Sequence, residues 1–72
     1  MAQGAQVTAQ VNGKSCTLPA GTTVEAVVRV LGSDPARVVV ERNLEIVPRD
    51  AFTTTVVAEG DEIEVVQFVG GG

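Results

Sequence analysis

Seventy-two residues with a formal net charge of −4 and only two aromatic side chains, Phe52 and Phe68, make one small domain, and a chain of this size buries only about 60% of its unfolded surface. That leaves no room for a deep substrate cavity beside a catalytic apparatus, so the chain is expected to bind, carry or inhibit. The bases Lys14, Arg29, Arg37, Arg42 and Arg49 are dispersed, which argues against nucleic acid, while the lack of histidine and the single Cys16 exclude a histidine-based nucleophilic site, an internal disulfide and a four-cysteine metal or iron–sulfur site.

Met1 to Ala5 read as a lead-in. Gln6 to Val11 alternates polar and apolar residues at period two, with Val7, Ala9 and Val11 on one face, and this predicts a half-buried strand. Asn12-Gly13 is a hairpin signal, since both residue types tolerate the positive φ of a type I′ turn. Lys14 to Leu18 returns as a second strand, and Pro19-Ala20-Gly21 breaks it. A helix then opens, capped either by Thr22 in a capping box with Glu25 or by Thr23. Val24, Val27, Val28 and Leu31 form its apolar stripe, and Gly32 stops it.

Arg37 to Arg42 is rich in β-branched residues and predicts a third strand. Asn43-Leu44 turns it into a short fourth strand, Glu45 to Val47. Pro48 to Phe52 reads as one helical turn with Phe52 inward. Thr53 to Ala58 is extended with no assigned pairing, Glu59 to Glu62 is a turn, and Ile63 to Val69 is the last strand. A hairpin, a helix across one sheet face and further strands give an α+β layer pair. The expected arrangement is a β-grasp: a mixed sheet of four to five strands, one main helix, and the final strand parallel to the first in the sheet centre.

The sequence finishes with Gly70-Gly71-Gly72 directly after the last apolar strand. Residues 69–72 are expected to form a flexible arm, and three extended glycines reach roughly 10 Å. Such an arm passes through slots too narrow for a Cβ and presents its carboxylate to other proteins. In the last strand Ile63 and Val65 point towards the helix. Val66 and Phe68 point away, where a polar face is normal, and with Val69 they are candidate partner contacts. Cys16 is read as a small core hydrophobe, and Glu59, Asp61, Glu62 and Glu64 as a solvated acidic turn and strand face that also suits a basic partner. No apolar run is long enough to span a bilayer and the N-terminus lacks signal-peptide features, so a cytoplasmic chain, monomeric when free, is expected.

Several segments together resemble the ThiS family of sulfur carriers: Asn12-Gly13-Lys14, Pro19 to Val24, Val40 to Arg49 with its Ile46-Val47-Pro48-Arg49 run, Glu59 to Val66, and Phe68 to Gly72. The resemblance runs from about Val7 to Gly72. It implies a ubiquitin-like fold and a non-enzymatic carrier of thiamine biosynthesis. An E1-like, ThiF-type adenylyltransferase using ATP and Mg²⁺ would convert the Gly72 carboxylate to an acyl-adenylate. A sulfur donor, such as a cysteine desulfurase persulfide, would replace AMP to leave a thiocarboxylate. Thiazole synthase, ThiG-type, would then take the sulfur. Gly70 and Gly71 would enter the partner active sites. No cofactor or metal is expected on the chain itself. Gly70 and the Asn43-Leu44 turn, where Asn-Gly is common, are minor departures from the family pattern.

Three rivals share the fold. The small subunit of molybdopterin synthase has the same terminal chemistry, but tends to be longer and to carry proline before its glycines; Val65 to Val69 contains none. A ubiquitin-like modifier would form lysine conjugates rather than a thioacid. An inert β-grasp interaction module would keep full activity without Gly71 and Gly72.

Overall fold

The computed structural model describes residues 4–68. Strands β1 (Gln6–Val11) and β2 (Lys14–Pro19) form the opening hairpin, followed by helix α1 (Val24–Val30), β3 (Val38–Arg42), β4 (Glu45–Ile46) and β5 (Glu62–Gln67). Short 3-10 turns at Pro35–Arg37 and Arg49–Ala51 flank the β3–β4 pair. The sheet order is β2-β1-β5-β3-β4. β5 runs parallel to β1 and antiparallel to β3, so the last strand lies in the centre, as the β-grasp expectation requires.

One layer of aliphatic side chains holds helix to sheet. Ala9, Val11, Val38, Val40 and Ile63 come from the strands, and Val24, Val27 and Val28 from α1. Phe52 and Val57 close the end of this layer, and Cys16 packs partly buried against it. Burying each such large side chain contributes roughly 1.5–3 kcal/mol, which compensates for the weak helix propensity of a valine-rich α1.

The ends of α1 are fixed by hydrogen bonds. Thr23 is the N-cap, and its Oγ1 accepts from Ala26 N at 3.2 Å. Thr22 is not the cap, because its hydroxyl donates to Pro19 O at 2.6 Å. At the C-terminus Ser33 N bonds Val28 O and Gly32 N bonds Arg29 O, with Gly32 at φ +82°. This is a Schellman closure, which needs the left-handed glycine. Leu31 departs from the expected stripe: as the C-cap residue it has rotated off the core face and is 44% exposed.

Several boundaries differ from expectation: β2 runs on to include Pro19, and β4 ends at Ile46 rather than Val47. Arg37 belongs to a 3-10 turn capped by the Asp34 carboxylate rather than to β3. β5 starts at Glu62 and the described strand stops at Gln67. The Thr53 to Ala58 segment is turn and irregular chain, joined to the helix entry by a single Thr23–Val56 bridge.

Arg49 explains the Pro48-Arg49 pair. Its guanidinium donates to Pro35 O and, at 3.1 Å, to Val38 O, and lies 5.7 Å from the Phe52 ring centroid. The side chain therefore ties the second 3-10 turn to the entry of β3, next to the exit of β5.

Candidate functional site

The site is built from the second half of β5 and the strand beside it. Alternation along β5 buries Ile63, leaves Val65 half-buried, and turns Glu64, Val66 and Phe68 to the open sheet face. Val66 is 60% and Phe68 53% exposed. The β3–β5 register sets Val39 opposite Val66 and Glu41 opposite Glu64, and Ile46 of β4 lies opposite Glu41. The open face thus carries exposed apolar side chains beside two directly opposed carboxylates. Phe68 N donates to Arg37 O at 2.9 Å, which keeps the chain on the β3 side up to the last described residue. Val69, Gly70, Gly71 and Gly72 lie outside the described residues, as does the expected flexible arm.

Two asparagines position β5. Each stands first in a tight turn with positive φ, Asn12 at 50° and Asn43 at 53°. Asn12 Oδ1 accepts from Val65 N at 2.8 Å, and Asn43 Oδ1 from Glu62 N at 2.9 Å. Where β1 and β3 end, these amides take over the ladder from either side. Sequence reading found both turns but not this second role, because the Asn preference for left-handed φ already accounts for the residue type.

Asp61 corrects the expectation of a wholly solvated acidic turn. It is 5% exposed. Its carboxylate accepts from Arg42 Nε at 2.9 Å, Ala58 N at 2.8 Å and Asn43 Nδ2 at 3.0 Å. Burial pushes this carboxyl up, but the Ala58, Asn43 and Arg42 donors outweigh it and hold it below the usual carboxylate value. Glu59 is also engaged, its Oε1 accepting from Thr8 N at 2.9 Å. The turn is therefore a clamp on the entry of β5. Glu62 and Glu64 remain exposed.

A cleft of about 260 Å³ opens on the helix side, lined by Arg29, Pro35, Arg49 and Phe52 among others. Both arginines are engaged within the chain, Arg29 with Glu25 at 3.2 Å and Arg49 with the Pro35 and Val38 carbonyls. Among the described residues no group of three or more His, Cys, Asp or Glu side chains could hold a metal ion, and no helix is long and apolar enough to cross a membrane.

Comparison with known proteins matches the ThiS family model to residues 5–72. The chain belongs to the ThiS family. It is 34% identical over 64 residues to the sulfur carrier protein ThiS of Bacillus subtilis, covering 88% of this chain and 97% of that one. It is 47% identical over 62 residues to a thiazole synthase of Paramagnetospirillum magneticum, covering 86% of this chain but 19% of that protein's length. The crystal structure of a thiamine biosynthesis protein (ThiS) from Geobacter metallireducens superposes with a TM-score of 0.72 at 36% identity, over 92% of this chain and all of that one. The ubiquitin-like β-grasp is thus the fold of this family member.

Proposed function

We propose that this chain is a sulfur carrier of thiamine biosynthesis, acted on by partner enzymes and not itself a catalyst. The observation that carries this reading is the similarity, over nearly the full length of both chains, to the Bacillus subtilis sulfur carrier protein. The reacting group is the carboxylate of Gly72. At pH 7 it is ionised and a poor acyl donor. A ThiF-type adenylyltransferase with ATP and Mg²⁺ activates it as the acyl-adenylate, and the sulfur donor then displaces AMP: sulfide gives the thiocarboxylate directly, whereas a persulfide gives an acyl disulfide whose S–S bond a thiol reductant cleaves to the thiocarboxylate. The enzyme supplies the cations that offset repulsion between carboxylate and triphosphate.

The occurrence of a similar segment within a much longer thiazole synthase supports a ThiG-type synthase as the acceptor. Docking uses the open sheet face at Val66 and Phe68, with Val69 as a further partner contact outside the described residues, and the exposed Glu62 and Glu64 suit a basic rim on the partner. Gly70 and Gly71 carry Gly72 into the partner sites, where the absence of Cβ atoms permits close backbone approach.

Two measurements test this reading. Incubation with the cognate adenylyltransferase, ATP and a sulfur source should raise the intact mass by about 16 Da, the exchange of one oxygen for sulfur on the terminal nucleophile. A Gly72→Ala variant should fold normally and lose most adenylation, read as ATP-to-AMP turnover. Normal turnover by that variant, or a lysine conjugate in place of the thioacid, contradicts the reading.

A further inference from the structure

Backbone bonding along β5 leaves one edge open. Groups of even-numbered residues face β3, as the Arg37–Phe68 bond and the Glu41–Glu64 and Val39–Val66 pairs show. Those of odd-numbered residues face β1: Asp61 O accepts from Gln10 N, and Ile63 O from Asn12 N, both at 2.9 Å. The β1–β5 register ends at Val11–Ile63. One further group on that side, Val65 N, is taken by Asn12 Oδ1. Beyond it Val65 C=O, Gln67 N–H and Gln67 C=O have no strand beside them among the described residues. Gln67 is exposed and Val65 half-buried. Unpaired donors and acceptors in strand geometry are a template for a further strand.

We infer that an extended segment of the thiazole synthase partner, whose longer chain in a relative contains a segment similar to this chain, adds to this edge. It lies in line with the end of β1, and pairs through its own backbone with Val65 C=O and with the N–H and C=O of Gln67. The site is directly continuous with residues 69–72, so the added strand aligns the chain that leads to the reacting end. Backbone pairing fixes direction and register, which apolar contact through Val66 and Phe68 alone does not. This interaction rests on the carrier reading above, and it specifies how the partner grips the carrier.

Gln67→Pro isolates the effect. Proline removes the N–H, and in a strand it is tolerated where that N–H points away from the ladder. Here the β3 side is served by Val66 and Phe68, so the fold should persist. Gln67→Ala is the control for the loss of the weak Ser33 Oγ–Gln67 Oε1 contact at 3.4 Å. With the cognate thiazole synthase, titration calorimetry should give Gln67→Ala an affinity near that of the unmodified chain. Gln67→Pro should bind about tenfold more weakly, as expected for partner groups left unpaired. In the unmodified complex the Gln67 amide should become protected from hydrogen exchange. Equal affinities for the two variants, or an unprotected Gln67 amide in the complex, overturn the added strand while leaving the carrier reading intact. A concentration-dependent dimer abolished by Gln67→Pro overturns it by making a second copy the occupant. No binding by the unmodified chain, with no thioacid formed, instead removes the carrier reading on which the inference rests.

Discussion

Asp61 shows how one residue can decide stability against its apparent type. In the sequence it is one acid among several in a Gly-Asp turn. In the fold it accepts three hydrogen bonds: two, from Arg42 and Asn43, join the β5 entry to the β3–β4 turn, and one, from Ala58 N, closes its own turn. Asp61→Asn removes the charge and leaves Arg42, with its side chain 36% exposed, without its carboxylate. A loss of about 2–3 kcal/mol is expected, near the range for charge-assisted hydrogen bonds, measured by urea denaturation at pH 7. Because the folded carboxyl is held below its unfolded value, its contribution is full above the unfolded pKa of about 3.9. It disappears as pH falls through the lower folded value. The acid limb of the stability curve should therefore flatten in Asp61→Asn. Leu44 is the opposite case, at φ 72° and 86% exposed. A left-handed L-residue costs roughly 1–2 kcal/mol, while glycine costs roughly 0.5–1 kcal/mol in chain entropy. Leu44→Gly should stabilise the fold by about 0.5–1 kcal/mol, seen as a higher urea midpoint.

At the scale of elements, the sheet was legible wherever side-chain period and turn chemistry agreed. Asn12-Gly13 fixed the hairpin, and its paired register runs from Gln6–Pro19 to Val11–Lys14. The helix stripe was read correctly at Val24, Val27 and Val28, all buried. It failed at Leu31 because the Schellman turn bends the chain off the core one residue early. The Pro35–Arg37 turn was missed because its signal, an Asp before proline, also marks an ordinary break. Element pairing also explains a tension invisible in one dimension. Glu41 and Glu64 are directly opposed on neighbouring strands, an arrangement that destabilises a sheet by roughly 0.2–1 kcal/mol. Glu64→Lys should reverse that term and raise the thermal midpoint. The same change should weaken binding to a basic-rimmed partner. A midpoint that does not rise would show that the two carboxylates have splayed apart into solvent.

At the scale of the molecule, the fold followed from pattern because a β-grasp needs only short-range signals and the long-range pairing of β5 with β1 on one side and β3 on the other. The site was less legible. Val66 and Phe68 could be placed on the open face by counting from Ile63, but the backbone edge beyond Asn12 depends on where β1 runs out, and no residue type marks that. The proposed reacting end, Gly72, lies outside the described residues and rests on the glycine-rich end of the sequence rather than on geometry. The separation between a rigid acidic body and its docking face predicts a dissociation of stability from binding. Val66→Asp changes a 60% exposed side chain, so the cost should stay near the roughly 1 kcal/mol span of strand propensities. Its circular dichroism spectrum and cooperative unfolding should persist. A new charge would then sit within the apolar contact, where the partner must desolvate it without a matching cation. Affinity for the cognate thiazole synthase should fall about tenfold or more, mostly through faster dissociation. A folded Val66→Asp chain that binds as tightly as the original would place the contact elsewhere, leaving the β5 edge and Gln67 as the grip.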